Sequence, residues 1–105
     1  MIELNDENFS DFLEKSKLPV IVDFWATWCA PCKIMVKILS DFYEKNKSLY
    51  IIAKCDIDNS PNIARHLEII SIPTLIFFKN NKIVGKEVGV LQESKLSQCC
   101  DKYFK

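Results

Sequence analysis

A chain of 105 residues in which 14 Lys and Arg balance 14 Asp and Glu has no net charge, so it offers no broad basic surface to nucleic acid or to an anionic membrane. Its 49% apolar and 27% charged content is that of an ordinary globular protein. One domain, residues 1–105, is expected, long enough to bury roughly two-thirds of its unfolded surface without a metal or a disulfide to hold it.

The opening MIELNDENFSDF is acidic and amphipathic. It lacks the basic start and apolar core of a secretion signal, so a cytoplasmic, reducing location is expected. Phe9, Phe12 and Leu13 fall at helical spacing and predict a helix over 6–15 capped by Asn5, after a short strand at 2–4. Residues 20–26, VIVDFWA, are β-branched and aromatic, as in a strand buried on both faces; Asp23 is out of place there. After Cys29, the stripe Ile34, Met35, Ile38, Leu39 and Phe42 predicts a helix with Pro31 in its first turn. Residues 50–57 predict the next strand, completing a βαβ unit with parallel pairing and a right-handed crossover.

Ser60 and Pro61 predict the cap and first turn of a short helix to about residue 67. Two runs, 74–79 and 82–88, separated by Asn80-Asn81, predict an antiparallel hairpin. A closing helix over 92–104 places Leu96, Cys99, Cys100 and Tyr103 on one side. The order predicts an α/β fold: a mixed sheet of four to five strands flanked by about four helices. No run of about 18 apolar residues marks a membrane span.

The five cysteines are Cys29, Cys32, Cys55, Cys99 and Cys100; an odd number argues against a full disulfide framework. Cys29 and Cys32 lie where a strand ends and a helix begins, a place where α/β sheets bind ligands. The helix N-terminus stabilises an anion, which favours a Cys29 thiolate and makes it nucleophilic near neutral pH. Cys32 lies one turn further in, near enough to close a disulfide but more buried. A zinc site needs about four ligands and this pair supplies two; His66 has no partner at ligand spacing, so no metal is expected. A structural disulfide across so short a loop removes little chain entropy. A redox-active dithiol fits the context best.

The segments VDFWATWCAPCK at 22–33, KCDID at 54–58, SIPT at 71–74 and VG at 88–89 resemble the thioredoxin family, and the likeness runs over essentially the whole chain. The resemblance implies the thioredoxin fold and protein-disulfide reduction. It makes Cys29 the attacking and Cys32 the resolving cysteine, joined as Cys29–Cys32 in the oxidised form. Asp23 matches the buried acid beneath the pair; a carboxyl isolated in an apolar strand has a raised pKa and is suited to take the Cys32 proton. Lys54 matches a lysine that tunes this acid, although a solvated strand lysine reads the same. Pro73 matches the family's cis-proline, with the Ile72 backbone open to a substrate strand. Trp28, Ala30, Pro31 and Gly89 match the docking surface, with Trp25 packed nearby.

The chain departs from the family pattern at Ala30, usually glycine, at Lys37, often a kinking proline, and at Asn81, often a turn glycine. No nucleotide-binding glycine motif is present, so no cofactor is expected on the chain; NADPH is implied only indirectly, through a thioredoxin reductase. Disulfide-containing proteins, such as peroxiredoxin-type or reductase targets, are the implied substrates of a monomer. A disulfide oxidase or isomerase, or a binding module with an incidental dithiol, are the rival functions. Cys55 reads as core, and so does at least one of Cys99 and Cys100; an exposed regulatory thiol at the other is the minor alternative.

Overall fold

Side-chain alternation in one central strand builds both layers of the molecule. In the computed structural model, which describes residues 1–105, β2 spans Val20–Trp25. Val20, Val22 and Phe24 point into one apolar cluster with Leu4, Phe9, Leu13 and Ile76. Ile21 points the other way, into a cluster with Met35, Leu39, Leu75, Phe77 and Leu96. Both faces of the strand are therefore covered, which is why it reads as an unbroken apolar run.

The elements follow as β1 (Ile2–Leu4), α1 (Phe9–Lys15), β2, α2 (Ala30–Asn46), β3 (Ile51–Asp56), α3 (Pro61–His66), β4 (Thr74–Lys79), β5 (Lys82–Val88) and α4 (Glu93–Phe104). The sheet order is β1-β3-β2-β4-β5. β1, β3 and β2 are parallel, whereas β4 runs antiparallel to β2 and β5 antiparallel to β4. α1 and α3 pack on one face, α2 and α4 on the other. No helix is long and apolar enough to cross a membrane. Asn80 and Asn81 have φ of 53° and 63°, so both central residues of the hairpin are left-handed, which asparagine tolerates.

Four local expectations are corrected. The first helix starts at Phe9, because Asn5 Oδ1 accepts from the Glu7 and Asn8 N–H groups and Asn8 Oδ1 accepts from Asn5; these side chains close a turn that competes with the helical ladder. Ser60 occupies the N-cap of α3, but its hydroxyl makes no capping bond. Asp6 accepts the Asn62 and Ile63 N–H groups instead, at 3.2 and 2.9 Å. On α2 the buried stripe is Cys32, Met35, Leu39 and Phe42, and Ile34 is 56% exposed; with Cys32 as first anchor, a residue two further on falls about 200° round the helix. Cys99 and Cys100 are both buried, being neighbours in the arc between Leu96 and Phe104 that faces the sheet. Burial pushes all three free thiols up, Cys100 to about 12.

Gly85 is where α4 meets β5. A Cβ there would overlap the Tyr103 ring, whose hydroxyl donates to Glu87. Gly85→Ala is expected to displace Tyr103 and lower stability by about 1–3 kcal/mol. A denaturation midpoint equal to the parent's contradicts this close approach.

Candidate active site

Thiol chemistry needs an anion-stabilising position, and α2 supplies one. Cys29 is its N-cap residue, with extended φ and ψ of −98° and 108°, and Pro31 stands in the first turn. The first N–H groups of a helix have no partner within it. The Cys29 Sγ takes one of them, accepting from the Cys32 N–H at 3.2 Å. The two cysteines are joined as a disulfide with Cα atoms 5.3 Å apart. Cys32 is fully enclosed, whereas Cys29 retains 5% exposure. Ala30 and Pro31 between them face solvent.

Three other segments converge on the pair. The Ile72-Pro73 bond is cis, and the Ile72 carbonyl oxygen lies 3.9 Å from the Cys29 Sγ. The Gly89 N–H donates to the Pro73 carbonyl at 2.8 Å. Gly89 has φ of +96°, and a Cβ there would meet nothing within 4 Å, so the backbone angle and not internal crowding requires glycine. Trp28 is 68% exposed, and its indole N–H donates to Asp58 at 2.8 Å. Asp58 is held in turn by its own N–H on Asp56. Asp58 lies in the KCDID motif, but this bond spans 30 residues and has no local signature.

Asp23 is fully buried and neither carboxylate oxygen has a hydrogen-bond partner. By strand alternation it points to the α2 side, as does Ile21. Desolvation raises its pKa from 3.8 to about 7, and the Lys54 charge pulls the other way. Lys54 is the register partner of Asp23 on β3. Its Nζ lies 3.4 Å from Glu3 and 5.0 Å from the Trp25 ring centre. The surface grooves lie elsewhere; the most spacious, about 460 Å³, lies between α1, α3 and the hairpin turn. None of these grooves is lined by Cys29 or Cys32; of the two, only Cys29 reaches the surface, beside the exposed Trp28, Ala30 and Pro31. No group of three or more His, Cys, Asp or Glu side chains converges as metal ligands would.

The family model described as Thioredoxin matches residues 1–102. The chain belongs to the thioredoxin family. It is similar to the thioredoxin of Buchnera aphidicola subsp. Baizongia pistaciae, with 41% identity over 105 residues, all of this chain and 96% of that one. The thioredoxin of Mycobacterium tuberculosis is 39% identical over 95 residues, 90% of this chain and 82% of its own. The Mycobacterium leprae protein named bifunctional thioredoxin reductase/thioredoxin is 38% identical over 95 residues, which span 90% of this chain and 21% of that protein. Together with the disulfide-bonded Cys29 and Cys32, these similarities make the chain a thioredoxin-type dithiol–disulfide reductase, a thiol–disulfide oxidoreductase.

Proposed function

We propose that Cys29 is the nucleophile and Cys32 the resolving thiol of a single-domain, monomeric, cytoplasmic protein-disulfide reductase. The Cys29 thiolate attacks one sulfur of a substrate disulfide. A Cys29–substrate bond forms, the substrate S–S bond breaks, and the departing thiolate takes a proton from solvent. Cys32 then gives its proton, through an intervening water, to the Asp23 carboxylate and attacks the Cys29 Sγ. The mixed disulfide breaks, the substrate's second sulfur leaves as a thiolate that takes its proton from solvent, and Asp23 releases its own proton to solvent, so the substrate departs with two electrons and two protons. The Cys29–Cys32 disulfide remains.

Asp23 suits this role because its pKa of about 7 leaves it able to accept and return a proton near neutral pH. Lys54 tunes it, holding part of the carboxylate population ionised. Trp28, Ala30, Pro31, Ile72, Pro73 and Gly89 form the docking surface, where the Ile72 backbone pairs with an extended substrate segment. A thioredoxin reductase fed by NADPH restores the dithiol; the reductase-fused mycobacterial relative supports this partner class. Disulfide-containing proteins of the peroxiredoxin or reductase type are the substrates.

The observation that carries the proposal is the Cys29 Sγ at the cap of α2, beside the Ile72 carbonyl. Changing Cys29 and Cys32 together to serine is expected to abolish reduction of a polypeptide disulfide. Retained reduction contradicts the proposal. Loss of reduction with no effect on the protein's role in cells identifies a binding module instead.

A further inference from the structure

Residues 89–92, between β5 and α4, have no regular structure of their own and are held by two backbone donors. The Gly89 N–H reaches the Pro73 carbonyl. Two residues on, the Leu91 N–H donates to the Met35 Sδ at 3.3 Å. Met35 is fully buried in the cluster that α2 and α4 share with the sheet. It follows Cys32 by three residues, so the helical turn that carries the resolving thiol also carries this thioether.

Leucine would fill the same space with little change of volume. What sulfur adds is an acceptor, weak but sufficient for a donor that is half-buried and has no other partner. A hydrocarbon at this position would leave the Leu91 N–H unpaired. The dithiol helix, the cis-proline loop and the Gly89 segment are thus tied to one another by two bonds, and one of them needs Met35.

We propose that Met35 is a positioning residue for substrate docking: its Sδ holds residues 89–92 at a fixed height beside the dithiol, so that Gly89 and Pro73 present a set surface to a polypeptide disulfide. The proposal rests on the assignment of Ile72, Pro73 and Gly89 to docking. It gives Met35 no part in electron transfer, and no bond to its sulfur is made or broken.

The chain has two methionines, Met1 and Met35, so biosynthetic replacement of methionine by norleucine exchanges sulfur for CH₂ at one buried site. Two readouts follow: hydrogen exchange at the Leu91 amide, and the rate at which the pre-reduced protein reduces insulin compared with a small aromatic disulfide that needs little docking surface. In the norleucine protein Leu91 is expected to exchange about fivefold faster, the effect of losing one modest hydrogen bond. Insulin reduction falls about two- to fivefold, with the small-disulfide rate unchanged. Met35→Leu repeats this pattern, and selenomethionine, which keeps an acceptor, restores the parent's behaviour. Unchanged Leu91 exchange overturns the proposal, as does faster exchange with an unchanged ratio of the two rates. Gly89→Ala separates the failures. If it slows insulin reduction and norleucine does not, docking stands and Met35 has no part in it. If neither does, the docking assignment itself has failed.

Discussion

With Cys32 replaced by serine, the protein is expected to stop turning over and to accumulate substrate proteins bound through Cys29. The attacking thiol is still present at the cap of α2, so the first exchange proceeds. The second does not, because no internal thiol faces the mixed disulfide. An internal thiol in the right place acts at an effective concentration that can reach about 10⁵–10⁸ M; millimolar external thiol replaces it slowly, and the adduct outlives purification. The other cysteines offer no substitute, since Cys55, Cys99 and Cys100 are 0–2% exposed and burial raises their thiol pKa values. Peptide mapping must therefore place every adduct on Cys29, and Cys29→Ser must form none. Adducts in equal yield from Cys29→Ser would show that the division of labour between the two cysteines is wrong.

Asp23→Asn is expected to make the protein more stable and a poorer catalyst. The folded-state pKa of Asp23, about 7, lies above its ordinary value of 3.8. The folded chain thus holds the proton more tightly than the unfolded chain. Between these two values the unfolded state has lost its proton and the folded state has not, so stability falls as pH rises through the window. Above about pH 7 the full penalty of about 4 kcal/mol applies. Asparagine has no proton to lose and gives a flat profile across the window. It also leaves a buried amide unpaired, which returns part of the gain. Relative to the parent, the Asp23→Asn protein is expected to gain about 4 kcal/mol between pH 4 and pH 8: the unpaired amide makes it the less stable of the two at pH 4, the curves cross within the window, and it is the more stable by about 2 kcal/mol at pH 8. Catalysis moves the other way: Cys32 loses its proton acceptor, and the resolving step slows about 10²-fold or more. Parallel stability curves from pH 4 to pH 8 would mean that Asp23 titrates normally and has no proton-transfer role.

What is legible in the sequence is periodic or local. Helical stripes mark α1, α2 and α4, apolar β-rich runs and the Asn80-Asn81 turn mark the main strands, Ser60-Pro61 marks α3, and the one carboxylate in VIVDFWA stands out as a misfit among its apolar neighbours. The proline at 73 is visible as a residue, but its cis bond is implied only by the SIPT resemblance, since X–Pro bonds are mostly trans. The losses have a common cause in pairs that are distant in sequence. Ser60 resembles the cap of α3 because Asp6, which supplies the acceptor, lies 56 residues away from Asn62. Ile34 falls into the apparent α2 stripe unless Cys32 is counted as the first packing anchor, and a cysteine in a dithiol motif draws notice for its chemistry instead. The helical stripe puts Cys99 and Cys100 on one side of α4 and requires only one of them to be core, yet the buried arc is wide enough for both. The bonds from Trp28 to Asp58 and from Leu91 to Met35 join separate elements, and nothing local announces either.

The central claim is that electrons flow from the Cys29–Cys32 pair to substrate, and the reduction potential of that pair tests it most directly. Equilibration in graded dithiol buffers, followed through the fluorescence of Trp28 beside Cys29, gives the value. The account predicts a potential more reducing than the glutathione pool, so that the pair donates electrons. A potential near that of oxidising isomerases would mean that the dithiol is the stable form, and that the protein makes disulfides instead of breaking them.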